Sequence, residues 1–196
     1  PLAHAPGEWA DHVQRQMPQA VVTRVRVNGK TGILYDALWD QGFCQTLLEA
    51  VLRRRRFKGA HGCLTGAPTK TFRGLREVVE AAPEPTSIQG HGNNSLVTFG
   101  DRLLLKLFRR VEEGVNPELE VGWFLAQRTA FRNIAPVAGS LVYQPGRGEP
   151  LTLGVLQEFV PHQGDAWEYT LAALDRYFER VLRLPSGLQT PALPRR

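Results

Sequence analysis

The run "GDRLLLKLFRR", residues 100–110, sets Lys106 between Leu103, Leu104 and Leu105 on one side and Leu107 and Phe108 on the other. Drawn as a strand, its side chains alternate, so Lys106 shares a face with Leu104 and Phe108 while Leu103, Leu105 and Leu107 point the other way. Both faces read as covered. An unpaired ammonium there would cost several kcal/mol or lose its proton, so Lys106 needs an anionic partner. Two other features could meet it. "GHGNNS", Gly90–Ser95, is a glycine-rich segment whose backbone could approach phosphate oxygens closely. "NPELE", Asn116–Glu120, puts two carboxylates into the start of a helix. Together they suggest chemistry on a phosphate chain.

The elements around these residues decide which phosphate chemistry. Thr86–Ile88 reads as a short strand, "QGHGNN" as a loop, Ser95–Phe99 as a strand, Gly100-Asp101 as a tight turn and Arg102–Phe108 as the strand of Lys106. A dinucleotide fingerprint needs a helix directly after its glycines, because the helix N-terminus binds the pyrophosphate. Here a strand follows. A glycine-rich loop between antiparallel strands, with a lysine on the next strand, is instead the phosphate-covering order of the protein kinase fold. Taken alone, the loop reads equally well as a plain hairpin turn. Asn116 as N-cap, Pro117 at the first helical position and the acids after them make a strong helix start. Glu120 lies 14 residues beyond Lys106, within the span of the lysine-to-helix ion pair of kinases, and is the favoured partner; Glu118 reads as an acid decorating the helix end. "APVAGSLVY" and "PLTLGVLQEFV" pair as strands. The end of the second is the expected hinge, where backbone groups near Glu158 and Val160 would hydrogen-bond adenine.

"HQGD", His162–Asp165, resembles a catalytic loop but follows the hinge directly, and its Asp reads as the cap of a helix with Glu168 completing a capping box. No other segment supplies a catalytic base or magnesium ligand, and His4, His12, His61 and His91 lack ligand spacing. Trp167, Leu171, Leu174, Phe178, Val181 and Leu182 form an apolar stripe on that last helix.

In the first half, "VVTRVRV", Asn28-Gly29 and Thr31–Tyr35 predict a hairpin. Asp40 caps a helix whose apolar face is Phe43, Leu47, Leu48, Val51 and Leu52. Arg53–Arg56 are then expected in its last turn, where the macrodipole favours cations, with Gly59 as the stop. "HGCLTGAPT" reads as a strand and "FRGLREVVEA" as a short helix. Pro83 and Pro85 mark the best boundary. Of the net charge of +5, +4 falls in residues 1–85, mostly in "RRRRFK". A solvated helix end explains it better than a nucleic-acid patch. Cys44 and Cys63 fit reduced thiols rather than a disulfide framework or a zinc site. No apolar run reaches the roughly 18 residues of a membrane span. The start is neither a signal nor a transit peptide, so a cytoplasmic protein is expected. The opening without methionine suggests a piece of a longer chain.

"GILYDALWDQGFCQTLLEAVLRRRRFKG", "NNSLVTFGDRLLLKLFRRVEEGVNPELEVGWFL" and "VLQEFVPHQGDAWEYTL" closely resemble the bacterial maltokinases, including those fused behind trehalose synthase. The resemblance implies an α+β fold: an antiparallel-sheet cap subdomain over residues 1–85, a protein-kinase-like N-lobe related to aminoglycoside phosphotransferases over 86–160, and a hinge-following helix with a proline-rich tail over 161–196. The family's helical C-lobe, with its catalytic Asp and magnesium ligands, has no counterpart. The implied activity of the parent is ATP-dependent phosphorylation of maltose to maltose 1-phosphate, with ATP and Mg as cofactors and trehalose synthase as a fusion or complex partner. Carried over, Lys106 would contact the α- and β-phosphates, Glu120 would orient it, and Gly92, Asn93, Asn94 and Ser95 would cover the phosphates. "QGHGNNS" is longer and more glycine-rich than the family's usual loop. The rivals are another phosphotransferase of the superfamily and a non-catalytic docking module.

Overall fold

The computed structural model describes residues 1–69, 84–91 and 93–183. The helix expected over 72–81 and the tail from residue 184 lie outside the described residues. The fold is α+β with antiparallel sheets, and the chain divides into two compact units, Pro1–Val160 and Pro161–Arg196.

A three-stranded sheet opens the first unit, in the order β1 (Leu2–Pro6), β3 (Lys30–Asp36), β2 (Val21–Val27). Asn28 and Gly29 both take positive φ, 51° and 79°, as a two-residue hairpin with the right twist requires. β1 and the following helix α1 (Gly7–Gln16) are elements that pattern reading does not anticipate. The helix has no side-chain N-cap, and Gly7 enters it at φ 55°. Ala5, Val13, Ile33 and Tyr35 are buried between helix and sheet.

Helix α2 (Gln41–Leu52) starts as expected, with Asp40 Oδ1 accepting the Phe43 N–H at 3.2 Å. It does not continue through the arginines. Arg54 turns into the left-handed region at φ 52°, its N–H reaches the Val51 carbonyl, and the Arg55 N–H reaches the Ala50 carbonyl at 2.9 Å. This is a Schellman end with arginine where glycine is usual. Arg56 therefore begins a strand and Gly59 stops nothing, while Arg55 pairs with Glu49 at 2.9 Å. Arg54→Gly should raise stability by up to about 1 kcal/mol, the steric relief exceeding the entropy cost of glycine. The urea midpoint would rise at unchanged slope; a lowered midpoint would mean that the Arg54 side chain makes a contact worth more than the strain.

The second sheet has seven antiparallel strands, in the order β4 (Arg56–Lys58), β5 (Gly62–Pro68), β9 (Val137–Pro145), β10 (Leu151–Glu158), β8 (Leu103–Phe108), β7 (Asn94–Phe99), β6 (Pro85–His91). The sheet runs across the boundary expected at Pro83 and Pro85, because β5 pairs with β9 from Gly62↔Pro145 to Pro68↔Gly139. Residues 1–85 are thus not a separate domain: part of them completes the later sheet. α2 covers one face, burying Leu47, Leu48 and Val51 against Val97, Phe99, Leu103, Leu105, Leu141 and Leu156. Each fully buried side chain of this size contributes about 1.5–3 kcal/mol. Cys44 lies in this core with its Sγ donating to the Leu38 carbonyl at 3.1 Å. Burial, with the Asp40 and Asp36 charges adding to it, pushes its thiol pKa up to about 12. Both cysteines are free.

Helix α3 (Pro117–Arg128) approaches the opposite face so closely at Gly122 that an added Cβ would lie 2.7 Å from Val137 Cγ2. The second unit contains α4 (Ala166–Leu182), which opens on a capping box between Asp165 and Glu168 and has no buried residue. Among the described residues no helix is long and apolar enough to cross a membrane.

Candidate functional site

Register decides which residues can meet. Lys106 stands opposite Leu96 on β7 and opposite Val155 on β10. Ser95, Val97 and Phe99 with Leu103, Leu105 and Leu107 form the buried face under α2, whereas Asn94, Leu96 and Thr98 with Leu104, Lys106 and Phe108 are half-buried on the other. Only one of the two faces is therefore fully covered, and Lys106 lies on the half-open one with 22% of its side chain exposed.

Its ammonium has the partner its flanks demand. Nζ lies 2.9 and 2.8 Å from the two carboxylate oxygens of Glu118, and 5.9 Å from the centre of the Phe108 ring. The partner is Glu118, not Glu120. Residues two apart on a helix are not neighbours on its surface, so the two carboxylates of this turn cannot share a face. Glu120 instead lines a cavity of about 410 Å³ with Leu119, Trp123, Ser140 and Thr152. The helix phase is set upstream: Gly114, at φ 98°, donates its N–H to the Pro150 carbonyl at 3.0 Å, and Asn116 Oδ1 caps Leu119 at 3.1 Å. A count of residues from Lys106 does not contain that anchor. Because Glu118 is 41% exposed, the pair adds only about 0–1 kcal/mol to the fold. Its effect is to hold the ammonium in one place.

The glycine-rich segment is shorter as a loop than expected. β6 continues through Gln89, Gly90 and His91, and His91 pairs with Asn94 at the start of β7. Gly92 lies outside the described residues. Asn93 is exposed in the turn and its carbonyl accepts the Arg109 N–H at 2.9 Å. Asn94 shares the face of Lys106, but Ser95 does not. Ser95 is 4% exposed on the α2 side, and its Oγ accepts a hydrogen bond from Arg109 Nε at 2.9 Å. Ser95 therefore supports the hairpin from behind and does not face the site. The only local signal for Arg109 in the sequence is the doubled arginine that ends "LFRR".

At the other end of β8, Glu158 donates its N–H to the Pro136 carbonyl at 3.0 Å, and Phe159 donates its own to the Arg102 carbonyl at 2.8 Å. The Glu158 amide is thus engaged within the protein and not directed to a ligand. Val160 is 53% exposed. Along the strand the order is β10 end, Lys106, hairpin. Leu103, opposite Glu158, is three residues from Lys106, and Phe108, opposite Asn94, is two residues away on the other side. At the usual rise per residue these are roughly 10 Å and 7 Å. An extended ligand with an apolar ring at one end and anionic groups at the other would span that line. Among the described residues no group of three or more His, Cys, Asp or Glu could hold a metal ion. No protein-family model matches the chain.

Proposed function

We propose that Val160, Lys106, Glu118 and the hairpin at Asn93–Asn94 form one wall of an ATP site in a small-molecule phosphotransferase. One observation carries this reading: the half-buried ammonium of Lys106, held by both oxygens of Glu118, sits midway between a glycine-rich hairpin and a strand end on one sheet face. Lys106 would neutralise the α- and β-phosphates, Glu118 would fix its position, and Asn93 and Asn94 would lie above the phosphate chain. The residues fit a triphosphate, since a positioned cation beside closely approaching backbone is what such a ligand needs. They do not fit magnesium, since the one carboxylate among them, Glu118, has both oxygens on Lys106.

The substrate follows from the resemblance to maltokinases: transfer of the γ-phosphoryl group from ATP to maltose, giving maltose 1-phosphate, with the base and metal ligands supplied by a helical lobe. The exposed apolar stripe of α4, including Trp167 at 68% and Phe178 at 55%, supports an additional partner surface of that kind. The test is to assay the intact enzyme with ATP, magnesium and maltose, glucose or an aminoglycoside as acceptor. Maltose 1-phosphate should be the dominant product. Transfer only to another acceptor would replace the sugar assignment, and no ATP-dependent transfer to any would sink the phosphotransferase reading.

A further inference from the structure

A second cleft, with no part in the nucleotide reading, lies in the first unit between α1, the short 3-10 turn Ala37–Trp39 and the start of α2. Its volume of about 570 Å³ is within the ~300–1,000 Å³ of small-molecule sites. Trp9, His12, Gln16, Gln19, Trp39 and Gln41 supply its chemistry. Trp9 is 43% exposed, which is unfavourable for so large an apolar ring, yet it is held rigidly. Its Nε1–H donates to the Tyr35 hydroxyl at 3.4 Å, the hydroxyl donates to Asp40 Oδ2 at 3.3 Å, and the ring stacks on His12 with centroids 4.8 Å apart and planes 11° from parallel. One face of the indole is thereby covered and its orientation fixed before any ligand arrives.

The charge of the lining selects the ligand. Both oxygens of Asp40 accept protein donors, Phe43 N–H on Oδ1 and Tyr35 O–H on Oδ2. The three glutamines are neutral and each can donate and accept in one plane. Among the described residues no lysine or arginine lines the cleft and Asp40 is an anion, so they offer a phosphate or nucleotide no counter-charge. What matches aromatic rings beside neutral amides is a molecule with apolar C–H faces and a hydroxylated rim. We propose that this cleft binds a neutral saccharide, with a pyranose ring stacked on an indole and its hydroxyls held by Gln16, Gln19 and Gln41. The inference does not depend on the nucleotide reading.

The test is isothermal titration of the 196-residue chain with maltoheptaose, cellohexaose and laminarihexaose, and with AMP as a charged aromatic control. At least one oligosaccharide should bind saturably in the millimolar range or tighter. Trp9→Ala should weaken that binding about tenfold or more, while Lys106→Met leaves it unchanged. If Trp9→Ala abolishes the thermal transition, Gln16→Ala and Gln41→Ala serve instead, since neither touches the Tyr35 hydrogen bond. Lack of saturable binding by all three sugars, affinity unaltered in the folded variants, or tighter binding of AMP would each overturn the proposal.

Discussion

Lys106→Met should lower phosphoryl transfer by about 10²–10³-fold if Lys106 holds a triphosphate as proposed, the usual loss when one preorganised charge-stabilising donor is removed. The fold should tolerate the change. Lys106 is partly solvated and its pair with Glu118 adds at most about 1 kcal/mol, so the thermal midpoint should move by only a few degrees. The carboxylates give a sharper test, because spacing and geometry point to different ones. Glu118→Gln should cost about tenfold or more in turnover, since the ammonium loses both oxygens that position it. Glu120→Gln should change turnover less than about twofold, within the ordinary effect of a surface substitution. Equal losses from both would mean that the helix turns to present either acid. A loss from Glu120→Gln alone would restore the partner that residue spacing favours.

What was legible in the sequence was local. Asp40, Asn116 and Asp165 each cap the helix expected of them, and Asn28-Gly29 makes the expected hairpin, because a cap or a two-residue turn is settled by side chains within a few positions. Lys106 could be singled out for the same reason, from its neighbours alone. What failed required knowledge of distant contacts. The phase of α3, and with it the choice of Glu118, depends on Gly114 meeting Pro150. Gly59 is the obvious stop for α2 in the sequence, whereas the chain turns at Arg54 to run into β4. A loop has no faces, so the sequence alone groups Ser95 with the phosphate side; with β7 beginning at Asn94, alternation puts Ser95 behind the sheet with Arg109. The boundary at Pro83 and Pro85 marks a change of local pattern, but β5 and β9, more than seventy residues apart, join across it.

That junction depends on one glycine, and Gly66→Ala should lower stability by about 3 kcal/mol or more. Gly66 lies on β5 directly beneath the last turn of α2, and a Cβ there would overlap the Ala50 carbonyl carbon and oxygen. Neither atom can yield as a flexible side chain would. The Ala50 carbonyl accepts the Arg55 N–H that closes the helix, and the Gly66 N–H itself donates to the Arg55 carbonyl at 3.0 Å. Making room would lift α2 from the sheet, loosening Leu48 and Val51, or break the turn into β4. Such a loss is a large share of the roughly 5–15 kcal/mol of a typical domain. The sign makes the test sharp, because Gly66 has no positive φ. An alanine with space around it would instead stabilise by about 0.4–1 kcal/mol through the unfolded chain. Gly59→Ala is the matched control: its Cβ would meet nothing nearer than the Gly62 carbonyl oxygen at 3.6 Å, an ordinary contact. Urea denaturation of both variants should therefore move the midpoints in opposite directions, and a stabilised Gly66→Ala protein would show that α2 does not press on β5 as described.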